Sequence, residues 1–589
     1  MKTLLQTLFF FSLVMQICLA QNIIYVDIDA QGAGNGITWQ DAFTSLVEAL
    51  DIANQNDQIW VAEGVYIPGT LRTSSFQMKD DVALFGGFDG TEVSLEERDW
   101  LINKTILSGD IGIQGQASDN CYHVIKNTSP TLDSTAVLDG FTITGGYAHE
   151  SYPNDRGAGM INISASPTIR NCIFELNSAW ERGGGINNIS SSPRFYDCIV
   201  RANDAFAGGG MTNNYSSPIL QRVNFFGNYA AYSGGLCNEP GSSPLIEDCL
   251  FELNTVYDSG GAMGMHEDCH PIIRRCVFRA NIAMYGSGGA VWHWYAEVTA
   301  KPLYVECIFE NNYNGAMSIQ RSALRVENSI FVDNFDPDNE GWGGALQVWG
   351  NSFPVLVNCT FSGNWSDDGR AIKCNENMPS TVILVNCILW DGGNEISNNY
   401  NHTIVVAYSD VHGGYPGTAN INANPMFIDE YNHDFRLADG SPCIDAGTAQ
   451  FIWNNIQIVS LDSTSYFGSA PDMGAFEREG GATFVEGEMI DNMPTEFILS
   501  QNYPNPFNPT TKIRYSVPQS SNVVIKVYDI LGNEIETLVN EEKPIGTYEI
   551  TWYAENLPSG VYFYRLKAGD PSTSSGHSFV ETKKMILIK

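Results

Sequence analysis

The sequence predicts an all-β protein, a right-handed parallel β-helix followed by a small immunoglobulin-like β-sandwich. Three observations predict this fold class. A motif recurs about every 26 residues through the middle of the chain. Most copies hold short apolar stretches bounded by glycine pairs. After residue 494 the repeat gives way to a few longer stretches of alternating apolar and polar residues, which are typical of a sandwich.

The repeat contains two motifs. The first combines a proline, a cysteine, an aromatic residue and an asparagine, and its copies begin at Pro167, Pro193, Pro218, Pro244, Pro271 and Pro302. The second is a glycine pair followed by an apolar residue, at residues 183–186, 208–211, 234–237, 260–263, 288–291 and 343–346. A unit of this size without helical spacing cannot bury its apolar residues alone, but stacked copies can. We therefore expect two strands per repeat, each paired in parallel with its copy ~4.8 Å away, which gives ~12 coils over residues 135–445.

Stacking turns each repeat position into a column along the rod. We expect the phenylalanines to stack ring on ring in the core. The asparagines suit corners with a left-handed φ, where their amides hydrogen-bond to the copies above and below. The three structural columns include Asn177, Asn203, Asn228, Asn254 and Asn281, then Phe251 and Phe278, and then Cys249 and Cys276.

The cysteines are expected to be structural. A free cysteine is a small, buried apolar residue, directly stacked neighbours have poor disulfide geometry, and no C-x-x-C pair indicates zinc. Cys237 is placed in the column of Ile186 and Met211, which predicts a core position. Export permits oxidation, so the disulfide state stays open for four isolated cysteines, Cys121, Cys269, Cys374 and Cys443.

Charged residues stand directly before the cysteine column and alternate in sign from coil to coil. Opposite charges stacked on neighbouring strands predict pairing between coils. Such pairs contribute little each when they are exposed, so we expect them to fix the register. The column consists of Asp197, Arg222, Asp248, Arg275 and Glu306.

Composition limits the classes of function. The chain has 31 Lys and Arg against 67 Asp and Glu, a net charge of −36, which disfavours nucleic acid as a partner. Lys2, the apolar residues 4–19 and the small residues at 18 and 20 predict a signal peptide over residues 1–20. No later apolar run is long enough to span a bilayer. We therefore expect an exported chain without a transmembrane segment.

The repeat resembles that of chlamydial polymorphic membrane proteins and related bacterial β-helix proteins, on the residues Phe251-Glu-Leu-Asn254 and Gly260-Gly-Ala-Met263. This resemblance implies a pectate-lyase-like solenoid, a fold that serves adhesins and enzymes alike. Helical apolar spacing over residues 39–50 predicts an amphipathic helix that caps the N-terminal end, and residues 57–66 are interpreted as the first coil.

Two later segments also resemble known modules. Asn424-Pro-Met-Phe427, Ser441-Pro-Cys-Ile-Asp445 and Asp472-Met-Gly-Ala-Phe-Glu477 resemble a terminal module of choice-of-anchor type, which implies closure of the second end of the rod. The predicted organisation comprises an N-terminal cap with the first coils (21–134), the repeat β-helix (135–403), the terminal module (404–477), a Gly- and Glu-rich linker (478–494) and the C-terminal sandwich (495–589).

The last segment resembles the C-terminal sorting domain of the bacterial type IX secretion system. The resemblance rests on residues 501–510 (QNYPNPFNPT), 523–532 (VVIKVYDILG), 559–566 (SGVYFYRL) and 583–589 (KKMILIK). It implies that residues 495–589 contact the type IX machinery and a sorting peptidase. It further implies transport across the outer membrane, removal of the domain and linkage to surface polysaccharide. The mature protein is then expected to be extracellular or attached to the cell surface.

Aromatic residues before the glycine pairs suggest a sugar-stacking strip. Its candidate ligand-binding residues are Trp180, Tyr232, Tyr257, Tyr285, Trp292, Trp294 and Trp342, and Phe206 lies at an equivalent position. Asp336, Asp338 and Glu340 alternate like the donors of a calcium loop, although Gln347 stands where such a loop has Glu. No cofactor is expected to be required, and calcium is the one candidate.

Two functions remain open on the sequence. The first is a surface-displayed rod that binds glycans or mediates adhesion through its loops. The second is a polysaccharide lyase or glycoside hydrolase, which needs convergent carboxylates with Arg or Lys in a cleft. The best candidate bases for the second are Arg170, Arg274 and Arg275, and each stands among structural columns. Whether the protein is an enzyme, and which ligand it takes, stays open, with the binding rod preferred.

Overall fold

A computed structural model describes residues 22–294, 301–336, 343–375 and 378–478. In the C-terminal part it describes residues 498–499, 502, 507, 509–517, 521–528, 534–543, 546–554, 557, 560–568 and 579–587. The chain divides into two compact units, one up to Gly480 and one from Gly481. The predicted signal peptide, and the predicted linker apart from Arg478, lie outside the described residues.

The first unit is a parallel β-helix with four sheets. Sheet A has fourteen strands among the described residues: Ile23–Val26, Gln58–Ala62, Ala83–Phe88, Val137–Asp139, Thr168–Arg170, Arg194–Tyr196, Ile219–Gln221, Leu245–Glu247, Ile272–Arg274, Leu303–Val305, Ala323–Glu327, Phe353–Val357, Thr381–Val385 and Thr403–Ala407. Sheet B has thirteen in the same ranges: Gly64–Tyr66, Thr105–Ser108, Phe141–Thr144, Ile173–Glu175, Ile199–Arg201, Asn224–Phe226, Leu250–Glu252, Val277–Arg279, Ile308–Glu310, Ile330–Val332, Thr360–Ser362, Ile388–Trp390 and Asp410–Val411.

The two other sheets complete each coil. Sheet C has eleven described strands: Ile125–Asn127, Met160–Ile163, Ile186–Ile189, Met211–Asn214, Leu236–Asn238, Met263–Met265, Val291–Trp294, Met317–Gln320, Leu346–Trp349, Ile372–Cys374 and Ile396–Asn398. Sheet D is short and lies between sheets B and C along the chain. Its six described strands are Tyr147–Ala148, Ser178–Ala179, Asp204–Ala207, Tyr229–Tyr232, Thr255–Val256 and Ile282–Ala283.

The predicted parallel register is confirmed. Phe251 pairs with Phe278 and with Phe225, and the rings of Phe251 and Phe278 stack with centroids 5.0 Å apart. The prediction of two strands per repeat is wrong, because a left-handed residue such as Asp197 (φ 54°) breaks the first motif into a strand of sheet A and one of sheet B. The charge column lies on this corner. Arg222 donates two hydrogen bonds to Asp197, at 2.6 and 2.8 Å, as the alternating signs predict.

The asparagine column is a buried ladder. The Asn254 backbone N–H and Nδ2 donate to Asn281 Oδ1 at 3.1 and 3.0 Å, and Nδ2 also donates to the Phe225 carbonyl at 2.8 Å. The same pattern runs from Asn177 to Asn364, whose N–H and Nδ2 both donate to Asp391 Oδ1 at 2.8 Å. The expected left-handed φ at these asparagines is wrong. The residue before each one takes it, for example Leu253 (φ 56°), which leaves the asparagine free to point inward.

The twelve cysteines in the described residues are unpaired and buried, including Cys249 and Cys276 of the column. The four whose disulfide state was open, Cys121, Cys269, Cys374 and Cys443, are among them. The column assignment of Cys237 is wrong. Leu236 pairs with Met211, whereas Cys237 pairs with Thr212 on the outer face, where it is buried all the same.

The N-terminal end differs from the prediction. The helix comprises only Leu46–Ile52, begins at the N-cap Ser45 and buries Leu46, Ala49 and Leu50 against the first coils. Residues 39–45 form turns and a bridge instead. Sheet A already starts at Ile23–Val26, which pairs with Gln58–Ala62, so the solenoid begins before the predicted first coil.

The segment predicted as the terminal module packs onto the last coils. Residues near Thr418 and Ile421 form bridges to the last coil, and Tyr415 packs on the main core. Two antiparallel hairpins then fold back along the side of the rod, Phe427–Asp429 with Asp434–Leu437 and Gln450–Trp453 with Ile456–Ser460. Their apolar residues cover the outer faces of sheets A and B in the last coils, where outward positions are therefore apolar as well.

The second unit has two antiparallel sheets with a common apolar core. One contains Ile498–Leu499, Thr510–Val517 and Gly546–Tyr553, and the other contains Ser521–Tyr528, Glu534–Lys543, Gly560–Ala568 and Phe579–Leu587. Side chains from both sheets, including those of Tyr515, Trp552 and Tyr564, are buried in this core, which makes the unit a β-sandwich.

Candidate functional site

The outer face of sheet D carries a strip of rings. Side chains alternate along a strand, so the small residues Ala179, Ala205 and Ala230 are buried and their neighbours point outward. We call the outward rings of this face the aromatic strip. It consists of Tyr147, His149, Trp180, Phe206, Tyr229 and Tyr257.

The rings of the aromatic strip are accessible. Trp180 is 64%, Tyr257 is 56% and Phe206 is 49% exposed. Two further predicted residues, Tyr232 and Tyr285, stand one position further on, where the chain leaves sheet D for sheet C. Tyr285 contacts Tyr257 at 4.8 Å between centroids, and Tyr232 contacts Phe206 at 5.6 Å.

The aromatic surface continues around the corner onto sheet C. The Tyr232 ring lies 6.0 Å from Trp292, and the Trp292 and Trp294 rings stack at 5.5 Å with an angle of 15°. His266 meets both tryptophans edge to face. The structure therefore brings Tyr232, Trp292 and Trp294 together, as neighbours of the aromatic strip.

Three predicted site residues cannot be placed. Trp342, Asp338 and Glu340 lie outside the described residues. Asp336 is described and is buried, and its backbone N–H donates to the Trp365 carbonyl at 3.0 Å. Within the described ranges, no group of three or more His, Cys, Asp and Glu side chains is arranged to hold a metal ion. Calcium therefore stays a prediction that rests on the sequence of this loop.

Neighbouring side chains contact all three candidate catalytic bases. Arg275 donates to both oxygens of Asp248, at 2.7 and 3.0 Å, in the corner column. Arg274 lies 3.8 Å from Glu247 on the outer face of sheet A, and Arg170 lies over the Tyr196 ring at 5.6 Å. These contacts are those of structural residues, because each arginine neutralises or packs on a neighbour in an adjacent coil.

Polar side chains at the N-terminal end of the aromatic strip were not predicted. His149 Nε2 lies 2.8 Å from Ser178 Oγ, which donates to Asp204 Oδ2 at 3.0 Å. Burial lowers the pKa of His149 and raises that of Asp204. Each belongs to a different coil and only stacking brings them together, so no local sequence signal marks them.

The structure also shows a second buried ladder inside sheet C. Asn162, Asn188 and Asn213 each donate from Nδ2 to the Oδ1 of the next asparagine at 2.9 Å, ending on Asn238. Its signal in the sequence is an asparagine two residues after the apolar residue of the second motif, as at Asn188 and Asn213. This ladder fixes the strands that support the aromatic surface.

Comparisons with known proteins agree with this architecture. The family described as "Right handed beta helix region" matches residues 219–366, and the family described as "Secretion system C-terminal sorting domain" matches residues 501–580. The chain is thus a right-handed parallel β-helix protein with a type IX sorting tail. The tail indicates export by type IX secretion to the cell surface or the extracellular space, and interaction with the sorting machinery.

Three solved structures of low identity also match the chain. "Pectate lyase Pel9A" is 16% identical over 78% of this chain and 97% of its own, with a TM-score of 0.35. "Rhamnogalacturonan lyase" is 12% identical over 71% and 95%, with a TM-score of 0.32. "XylC with xylose" is 10% identical over 90% and 100%, with a TM-score of 0.34. Scores this low carry no argument about activity. No curated protein matches the chain.

In the ranges that the structure describes, no helix has the length and apolar character needed to cross a membrane.

Proposed function

We propose that this protein is a surface-displayed glycan-binding rod whose ligand lies along the aromatic strip. The observation that carries the proposal is the row of exposed rings on the outer face of sheet D. A large apolar side chain is usually buried, and a surface that gathers several exposed rings marks a site of interaction. An aromatic ring offers a flat apolar face to the apolar face of a sugar.

The structure beneath the aromatic strip favours specific binding of a ligand over nonspecific contact. Each ring sits on a strand of sheet D or directly after one, and the asparagine ladder and small buried residues hold the register of these strands. Rings fixed in this way lose little conformational entropy when a ligand binds. A rod with repeating rings suits a polymer, because several sugar units can be contacted at once.

The alternative is a polysaccharide lyase or glycoside hydrolase. The described contacts of Arg170, Arg274 and Arg275 favour structural roles for these candidate bases. The binding rod is therefore the better supported proposal. We also propose that a sorting peptidase removes residues 495–589 during export and that the rod is then linked to surface polysaccharide, which follows from the resemblance of this tail.

The test is a binding assay on the full chain with a panel of neutral and acidic polysaccharides, with and without calcium. We expect retarded migration in affinity electrophoresis with at least one polysaccharide. The triple variant Trp180→Ala, Phe206→Ala and Tyr257→Ala should lose this retardation. The matched control is Tyr431→Ala, which removes a ring that is 86% exposed on the terminal module.

Two results would contradict the proposal. In the first, the triple variant and Tyr431→Ala bind every polysaccharide alike. In the second, the protein releases unsaturated or reducing ends from a polysaccharide, which would establish the enzyme instead. Calcium dependence of binding would support the loop at Asp336, Asp338 and Glu340 as a calcium site.

A further inference from the structure

The N-terminal end of the aromatic strip differs from the rest because polar groups interrupt the rings. His149, Ser178 and Asp204 stand on three successive coils of the outer face of sheet D. Their hydrogen bonds form one chain, with 2.8 Å between His149 Nε2 and Ser178 Oγ and 3.0 Å between Ser178 Oγ and Asp204 Oδ2. Ser178 pairs in register with Tyr147 of the preceding coil and with Asp204 of the following one, so His149 reaches Ser178 diagonally.

The direction of this hydrogen-bond chain follows from its proton donors. The Ser178 hydroxyl has a single proton, and it donates that proton to Asp204. His149 must therefore donate from Nε2, which makes its Nδ1 an acceptor in the neutral ring. Burial lowers the pKa of His149, which keeps the ring neutral at neutral pH. The two ends of the chain thus offer acceptors, at His149 Nδ1 and at the Asp204 carboxylate.

Rings flank these acceptors on both sides. Tyr147 stacks on His149 with centroids 3.9 Å apart and an angle of 3°, and Trp180 meets His149 edge to face at 5.9 Å. Trp180 follows Ser178 by two residues and so lies on the same face of sheet D. A sugar ring that rests on Trp180 therefore has the acceptors within reach of its hydroxyl groups.

The basic side chains near this hydrogen-bond chain pair with acidic residues other than Asp204. Arg72 lies 3.6 Å from Glu150, and Arg156 donates to Asp155 at 2.7 Å. Over the described residues, no arginine or lysine forms an ion pair with Asp204, whose carboxylate accepts from the Ser178 hydroxyl. A carboxylate that is not neutralised favours hydroxyl or ammonium donors and repels carboxylate or sulfate groups.

We propose that Tyr147, His149, Ser178, Trp180 and Asp204 form a sugar subsite that accepts a glycan without acidic groups and rejects a uronate. Trp180 supports the ring, and Asp204 accepts hydrogen bonds from its hydroxyl or amino groups. The inference rests on the proposed function, because it assigns the ligand class at one place on the aromatic strip.

The experiment measures the affinity of the full chain for a neutral β-glucan, for chitosan and for polygalacturonate. The wild-type protein should prefer the first two over polygalacturonate. The comparison of β-glucan with chitosan separates hydroxyl from ammonium donors as the source of recognition. Asp204→Asn keeps the Ser178 contact but removes the charge, so affinity for the non-acidic polymer should fall about tenfold. Its affinity for polygalacturonate should not fall, and the preference should collapse.

Matched variants distinguish the subsite from the aromatic strip as a whole. Asp268→Asn removes an exposed carboxylate away from sheet D and should leave all affinities unchanged. The subsite is overturned if Asp204→Asn behaves like Asp268→Asn, or if the wild-type protein prefers polygalacturonate. When Tyr257→Ala weakens binding and neither Trp180→Ala nor Asp204→Asn does, the subsite fails while the proposed function stands. Absence of binding to every polymer overturns the proposed function itself.

Discussion

Replacing Asn254 by alanine tests the asparagine ladder in the middle of the rod. The side chain makes four hydrogen bonds. Its Nδ2 donates to the Phe225 carbonyl at 2.8 Å and to Asn281 Oδ1 at 3.0 Å, and its Oδ1 accepts from Asn228 N at 3.1 Å and from Asn228 Nδ2 at 2.9 Å. Each such bond contributes ~1 kcal/mol, and the groups left buried without partners add to the loss. We expect Asn254→Ala to lower the free energy of unfolding by about 4 kcal/mol.

The assay is guanidinium unfolding followed by far-UV circular dichroism, combined with hydrogen exchange of the Asn228 amide. Hydrogen exchange is needed because coils of a solenoid can open locally before the whole rod unfolds. The control is Asn399→Ala, an exposed asparagine whose loss should cost less than ~0.5 kcal/mol. If Asn254→Ala costs no more than the control and the Asn228 amide stays equally protected, the ladder does not hold the coils together.

Two further predictions concern pH. His433 of the terminal module lies 2.9 Å from Asp333 and 3.5 Å from Glu310, and hydrogen bonds to both carboxylates raise its pKa to about 9. The stabilisation by protonated His433 is complete below its unfolded pKa of 6.5 and is lost as pH rises through 9. His433→Gln should therefore lower the free energy of unfolding by ~1 kcal/mol at pH 6 and not at all at pH 10, measured by thermal unfolding. An equal loss at both pH values would contradict this prediction. Asp391 is buried, and burial, followed by the charge of Glu395, raises its pKa well above the ordinary value. Above pH 4 the free energy of unfolding of the wild-type protein should therefore fall by about 1.4 kcal/mol per pH unit relative to that of Asp391→Asn, until the folded pKa is reached. Parallel stability curves for the two proteins would refute the raised pKa of Asp391.

The sequence predicts which residues pair between coils more clearly than it predicts how many strands each coil contains. Phe251 and Phe278 could be paired in advance, because a repeat that keeps its length must stack equivalent residues. The number of strands could not be predicted, because a single left-handed residue such as Asp197 divides one apolar stretch into two strands. The residue type does not predict the left-handed conformation, since arginine and glutamate occupy the same corner in other coils.

The wrong column assignment of Cys237 shows how an alignment error of one residue exchanges the inner and outer faces of a strand. In its coil the left-handed position of the second motif is taken by Ser233 (φ 57°), where Gly183 (φ 59°) holds it two coils earlier. Aligning glycine with glycine therefore shifts this motif by one residue, and a shift of one residue moves a strand side chain to the opposite face. The backbone conformation, and not the residue type, defines the repeat here.

The candidate site was predictable only in part. Trp180 and Tyr257 are predictable because each ring stands shortly before a glycine pair in the repeat. The outward direction of these rings, and the contact of Tyr232 with Trp292, depend on sheet D and on the turn to sheet C. His149 and Asp204 lie 55 residues apart in the chain and meet only through Ser178 of the coil between them.

The burial of the thiols affects the chemical stability of the protein outside the cell. Burial raises the pKa of Cys198, Cys237 and Cys374 to about 12, so these sulfur atoms stay protonated and unreactive. An exported protein usually gains durability from covalent cross-links. This rod instead keeps its described thiols where neither oxidant nor reductant has access, so its stability should depend little on the redox state of the surroundings.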